Sequence, residues 1–336
     1  MRSFEHVRAV DVASAVRAVA GDPEARFLAG GTNLVDHLKL GVARPRLLVD
    51  VRGLPLTEVE VADDGSGGTV LRVGANVSNS DLAAHPVVRR ELPVVARALL
   101  SAASAQIRHQ ATTAGNLLQR TRCVYFQDVS TPCNKREPGT GCSAIEGYSR
   151  YNAILGASPS CVTVHPSDMA VALAAVDASV VTTGPGGERR IPVSELHRLP
   201  GDAPERDTVL EHGELITAVE LPVSPAAQRS TYYKARDRAS YAFALVSVAA
   251  GLDLDGDVVR DVRIAWGGVA HKPWRAARAE EALRGQRFTE EAVLAAVDEE
   301  LGQAETTTGT AFKVPLVRNT TALVLGRLAR DAGVER

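Results

Sequence analysis

Cysteine is nearly absent from this chain. Only four occur in 336 residues, and all lie between Cys123 and Cys161. Also missing is any run of eighteen apolar residues, so no membrane-spanning helix is expected. Charge of one sign is missing too: 38 basic and 40 acidic residues leave a net charge of −2, with no long run of either. Nucleic acid is therefore not an expected partner, because phosphate binding leaves a basic footprint. The opening stretch MRSFEHVRAVDVASAVRAVAG has no apolar segment behind a basic start, so no signal peptide is expected and the cytoplasm is the default compartment. Thiols stay reduced there, and clustered cysteines more often bind metal or do chemistry than form bridges. Internal repeats and low-complexity tracts are absent as well.

What remains is an ordinary globular composition, 45% hydrophobic and 23% charged. The length suggests two or three domains and allows a large core without disulfide staples. Residues 11–21 read as an amphipathic helix ending at Gly21, ARFLAG as a strand, TNLVDHLKLGV as a helix with Thr32 or Asn33 near its N-cap, and PRLLVDV as a strand. A hairpin is expected around DDGSGG, then helix over 79–104 with interruptions near Pro86 and Pro93. CVTVHPSDMAVALAAVDASVVTTG reads as strand, helix, strand; RRIPVSEL and LITAVELP read as further strands. Looser composition at PVSPAAQR suggests a boundary. An antiparallel sheet turning at LDGD follows, covered by helices in the last sixty residues.

The cysteine segment is long, polar and rich in Gly, Pro and Ser; such an insertion in a compact domain is usually functional or disordered. Its spacing is Cys-x9-Cys-x8-Cys-x18-Cys. Four thiolates suit an iron–sulfur cube, and zinc accepts four cysteines too, although zinc sites favour closer pairs. Disulfides and unrelated buried or redox cysteines also fit the count. Spacing alone leaves these readings open.

Two loops suggest a dinucleotide. FLAGGTNLVD sets Gly30 and Gly31 between a strand and a helix, where backbone can approach a ligand closely. ATTAGNLLQ offers Thr112, Thr113, Gly115 and Asn116 ahead of an apolar run. Neither matches Gly-x-Gly-x-x-Gly or the Walker pattern, and plain turns are the alternative. Asp168 follows Pro166 and Ser167 at a helix start, where an acidic residue also suits the helix dipole without any ligand.

Together, FLAGGTNLVDHLKLGVARPRLLVDV, QIRHQATTAGNLLQ, HPSDMAVALAAVDASV and GGVAHKPWRAARAEEALRG resemble the FAD-binding subunit of the xanthine dehydrogenase family of molybdenum hydroxylases, over nearly the whole chain. NLLQRTRC…PCNKREPGTGC…HPSDMA is similar to the flavin subunit of bacterial periplasmic-type aldehyde oxidoreductases, which carries an extra [4Fe–4S] cluster at this place. The resemblance implies an α+β fold: an FAD-binding domain of the vanillyl-alcohol-oxidase-like type with two α/β subdomains, over 1–55 and 56–224, then a C-terminal α+β domain over 228–332. The iron–sulfur loop would span about 119–162. FAD would be held by Leu28, Ala29, Gly30, Gly31, Thr32, Asn33, Leu34, Val35 and Asp36, and by Thr112, Gly115, Asn116 and Asp168. Ile216, Lys234 and Tyr241 would lie near the flavin; Lys234 also reads as a solvated sheet lysine and Tyr241 as a core aromatic. Cys123, Cys133, Cys142 and Cys161 would be the cluster ligands. The family commonly has a second glycine where this chain has Ala114, which matters if that position needs a positive φ.

The same resemblance places substrate hydroxylation on a large molybdenum-cofactor subunit. Electrons would pass through a small subunit with two [2Fe–2S] clusters to FAD and an external acceptor, in a heterotrimer or a dimer of it. Aldehydes are the implied substrates. No acid or base of this chain is expected to be catalytic, and His37 and His165 read as structural. The cluster would be structural or electron-buffering, since members lacking the insert resemble this chain elsewhere. Export with a signal-bearing partner would make the subunit periplasmic. Other readings are the flavin subunit of a hydroxybenzoyl-CoA-reductase-like or xanthine-dehydrogenase-like enzyme, a zinc-stabilised non-redox interaction subunit, and a free-standing flavin oxidase.

Overall fold

A computed structural model describes residues 1–334 except Asp64 and Ser66, which fall in the expected hairpin turn. The described residues form three sheets. The first is parallel, with order β1 (Glu5–Arg8), β3 (Leu47–Asp50), β2 (Ala25–Leu28). The helix Val12–Ala20 crosses between β1 and β2; Asp11 and Ser14 close a capping box at its start and Gly21 ends it. Strand β1 is exposed throughout and carries no alternating signal, which is why the sequence reading missed it.

The second sheet runs β4 (Val59–Asp63), β5 (Thr69–Gly74), β8 (Leu215–Pro222), β6 (Ser179–Gly184), β7 (Gly187–Pro192), and each pair is antiparallel. Three helices follow β5: Asn79–Ala84, Pro86–Glu91 and Pro93–Ser101. Proline stands at the first position of the second and third, where a missing N–H costs nothing, so the breaks fall where expected. The third sheet is antiparallel, with order β12 (Trp274–Arg275), β11 (Val258–Gly267), β10 (Val246–Asp255), β9 (Ser230–Ala235). Helices Ala277–Leu283, Glu290–Leu301 and Lys313–Asp331 complete the chain.

The helix Asp168–Ala175 is buried along its whole length. Its Ala, Val, Leu and Met side chains join a core with Val94, Leu99, Ile216 and Val219. That burial explains why a helix with little amphipathic contrast is stable: it is hydrophobic all round.

Two expectations need correction. Cys161–Val164 does not form a strand. It makes one bridge to Ser158, and Val162 accepts from Ala153 N–H at 2.7 Å, but no ladder follows. Pro159 and Pro166 flank it and cannot donate to a sheet. RRIPVSEL is strand only as far as Pro192; Val193–Leu196 is a helical turn.

Candidate functional site: two glycine-threonine loops and a cysteine pocket

The turn after β2 and the turn before the helix Thr113–Leu117 pack directly on each other. A Cβ on Gly30 would stand 2.1 Å from the Gln110 carbonyl oxygen, and the Gln110 amide donates to Gly30 O at 3.1 Å. Gly30 is thus required by backbone meeting backbone within the protein. Gly31 is required by conformation, with φ of +73°. Asn33 caps the helix Leu34–Leu40 without a side-chain bond; its Oδ1 accepts from the Arg120 N–H at 2.9 Å instead. His37 is buried, edge-on to Phe126, and held neutral at about 4 by burial and by the nearby Arg120 and Arg122.

In the second loop, Thr112 caps the helical turn, accepting from Gly115 N–H at 3.1 Å. Ala114 lies inside this turn and is not among the residues with positive φ. A methyl group is compatible there, so the concern over the missing glycine falls away. Asn116 is the hub. It donates to Asn79 Oδ1 at 2.5 Å and accepts from Ser167 Oγ at 2.6 Å. Ser167 in turn caps the buried helix, accepting from Ala170 N–H at 2.9 Å. Asp168 follows as the first helical residue.

Asp168 and Lys234 meet as an ion pair at 2.8 Å, both side chains at most 5% exposed, and Tyr232 Oη donates to the other carboxylate oxygen at 2.5 Å. Lys234 is therefore not a solvated sheet lysine. Each carboxylate oxygen keeps capacity for a further donor. Ile216 lies in β8 with its side chain in the main core rather than at a surface. Tyr241 is exposed, not a core aromatic, with φ of +52°, a strained value for a bulky residue.

Sequence reading missed Arg122 and Asn79. The Arg122 guanidinium stacks over Phe243 at 5.1 Å; burial lowers its pKa, partly offset by the Asp36 carboxylate. Arg122 therefore meets the segment that carries Tyr241. Its Nε is buried without an acceptor, as is Asn79 Nδ2 beside Asn116. Buried donors without partners are rare and call for one. No local sequence pattern marks either, because their neighbours are distant in the chain.

The four cysteines line one cavity of about 10 Å³, together with Thr121, Phe126, Lys135 and Thr163. Cys133 and Cys142 face each other across an antiparallel bridge, and Cys161 sits on the bridge to Ser158. None is disulfide-bonded. Backbone amides are directed at the sulfurs: Tyr125 and Phe126 at Cys123, Ala144, Val162 and Ile145 at Cys142, and Thr163 at Cys161. Burial still pushes the Cys123 thiol up. Cys142 and Cys161 share a hydrogen bond that lowers Cys142 to about 6 and raises Cys161. Amide donors favour thiolate over thiol, and thiolate is the metal-binding form. Among the described residues no group of three or more His, Cys, Asp or Glu side chains is arranged to hold a metal ion. Four thiols lining one cavity are a donor set that suits a four-thiolate group in kind. They are not gathered as a metal site here, and the cavity, with room for about one water, would have to widen for a cluster.

The geometry is that of a cofactor-binding domain followed by an antiparallel sheet layered with helices, and comparison with known proteins gives it a family. Residues 2–224 match the model of the FAD binding domain in molybdopterin dehydrogenase, and residues 231–324 match the CO dehydrogenase flavoprotein C-terminal domain. The chain belongs to the FAD-binding subunits of the xanthine dehydrogenase, or molybdenum hydroxylase, family. It is 48% identical over 333 residues to the aldehyde oxidoreductase FAD-binding subunit PaoB of Escherichia coli K12, covering 99% of this chain and all of that one. It is 26% identical to the carbon monoxide dehydrogenase medium chain of Hydrogenophaga pseudoflava, over 82% of this chain and 77% of that one. A solved structure of that carbon monoxide dehydrogenase superposes with a TM-score of 0.73 at 25% identity, covering 96% of both chains. Quinoline 2-oxidoreductase from Pseudomonas putida 86 shares the fold, with a TM-score of 0.74 over 98% of both chains at 22% identity. Among the described residues no helix is long and apolar enough to cross a membrane.

Proposed function

We propose that this chain is the FAD and [4Fe–4S] subunit of a heteromeric aldehyde oxidoreductase, assembled with a small [2Fe–2S] subunit and a large molybdenum-cofactor subunit. The observation that carries it is the direct packing of the two loops at Gly30, with the unpartnered donor Asn79 Nδ2 beside Asn116 of the second. Full-length similarity to an aldehyde oxidoreductase subunit supports the substrate class.

The loop Leu28–Asp36 and the turn Thr112–Asn116 would cradle FAD, with Arg122 and Asn79 donating to its oxygens. Asp168 would accept from its hydroxyls while remaining fixed by Tyr232 and Lys234. The exposed Tyr241 segment, met by Arg122 at Phe243, would cover the cofactor. Cys123, Cys133, Cys142 and Cys161 would hold the cluster through thiolates supported by amide donors. Bound FAD supplies the ability to take electrons singly from iron–sulfur partners and release them in pairs to an external acceptor. No residue of this chain is assigned acid–base work.

The test is anaerobic addition of an aromatic aldehyde to the complex purified with its partners. Flavin absorption in the complex bleaches, and flavin in the isolated chain does not. Bleaching in the isolated chain would mean a free-standing oxidase; no bleaching in a fully loaded complex would reject the aldehyde.

A further inference from the structure

Lys135 is an unusual neighbour for four cysteines. Its side chain is 2% exposed, and it lines the cavity that the thiols share. Its ammonium donates to Pro204 O at 2.6 Å and to Asp207 Oδ1 at 2.5 Å. The same carboxylate takes Arg120 Nε on its other oxygen at 2.6 Å. Burial pushes the Asp207 carboxyl up, but the charges and hydrogen bonds of Arg120 and Lys135 outweigh it and hold the group at about 2. Two cations therefore share one anion, and the group is left with one positive charge beside the cavity.

Desolvating a cation is costly, and Asp207 offsets only one of the two cations that share it. The single carboxylate is divided between Lys135 and Arg120, so neither cation is fully neutralised. A four-thiolate iron–sulfur group carries net negative charge, and its reduction adds one more. Charge, sulfur hydrogen bonds and exposure are the levers that set such a group's potential. We infer that the Lys135–Asp207–Arg120 triad is the built-in counter-charge of the cysteine site, and that Lys135 raises the reduction potential of the cluster held there. This rests on the four-cysteine reading above and concerns residues that nothing in the ligand set itself identifies. Lys135 is a positioning and charge-setting residue, not a ligand.

The triad also reaches the flavin side. The Arg120 backbone N–H holds Asn33 of the first loop, while its guanidinium holds Asp207 and stacks over Phe126 at 4.7 Å. The charge is thus anchored between the two proposed cofactor sites, but only Lys135 lines the cavity, so the cluster should respond more than the flavin.

The test is a dithionite titration of the anaerobically purified complex, followed by electron paramagnetic resonance for the cluster and by absorption for the flavin. Lys135→Met keeps the length of the side chain and removes its charge. The expected result, at unchanged iron and sulfide content, is at least a tenfold fall in the reduced-to-oxidised ratio of the cluster at a fixed potential, about 59 mV for one electron. The flavin midpoint shifts less. An unchanged cluster midpoint in a fully loaded variant overturns the inference. If Lys135→Met does not retain iron, Arg120→Gln carries the same test with the cavity lining intact; a smaller fall is expected, and no fall overturns the inference. A wild-type complex without acid-labile sulfide overturns both the inference and the cluster reading beneath it.

Discussion

The buried helix Asp168–Ala175 and the cysteine segment just before it are organised by opposite means. Every residue of the helix is buried among aliphatic side chains. Residues 119–162 contain one helical turn, Val124–Gln127, and otherwise loops. These loops are held by side chains bonding backbone: Asn134 to Ser160 O at 3.0 Å and to Gly141 N–H at 2.8 Å, Arg136 to Tyr125 O and Phe126 O, and Thr140 Oγ1 to Cys133 N–H. Of this segment, Ile154 and Leu155 enter a hydrophobic core. The difference teaches that a chain can order a polar loop without a core of its own when side chains converge on a shared point, here four thiols. It also locates the consequence of damage: the helix carries global stability, and the insert carries its own local order.

Four perturbations would break or sharpen that contrast, ending with the smallest expected effect on global stability. Asp168→Asn leaves Lys234 buried without its anion, and breaking such a pair costs about 3–5 kcal/mol; denaturant unfolding should show the loss, together with weaker FAD retention. Gly30→Ala forces a methyl group against the Gln110 carbonyl. Overpacking of this kind costs about 1–3 kcal/mol, and FAD content after gel filtration should fall with the thermal midpoint.

The third concerns Lys313, fully buried, donating to Asn152 O at 2.8 Å and Gly268 O at 2.7 Å. Burial, and then Arg150, lower it to about 7. Its folded pKa lies below the unfolded one, near 10.4, so between those values the unfolded chain binds the extra proton. Stability relative to Lys313→Met should therefore rise with pH from about 7 to about 10, by up to about 1.4 kcal/mol per pH unit, and be flat below 7. Paired unfolding curves across that range check it; a falling slope would contradict the assignment.

The fourth, Cys133→Ser, should change global unfolding least. Amide exchange should speed up across 120–162 while the helix Asp168–Ala175 keeps its protection. Equal loss of protection in both regions would erase the contrast drawn here.

How much was legible beforehand follows the same division. Capping residues, proline breaks and alternating apolar residues exposed most helices and the ladders of β5, β6 and β8, because these are local signals. Glycine was legible as a requirement but not as a cause: Gly30 reads as room for a ligand, whereas its closest neighbour is the Gln110 carbonyl. The common cavity of the cysteines, the Asp168–Lys234 pair, and the placement of Arg122, Asn79 and Lys135 depend on contacts between distant segments. No spacing encodes them. The strand expected at Cys161–Val164 failed because β-branched alternation without a neighbouring strand makes only a bridge.

The most direct measurement is the metal, acid-labile sulfide and flavin content of the anaerobically purified chain, with its absorption spectrum. The account predicts FAD together with about four irons and about four sulfides per chain, as four thiolates around a cube require. Zinc in place of iron, or flavin with no metal at all, would contradict the central claim that the four cysteines hold an iron–sulfur cluster.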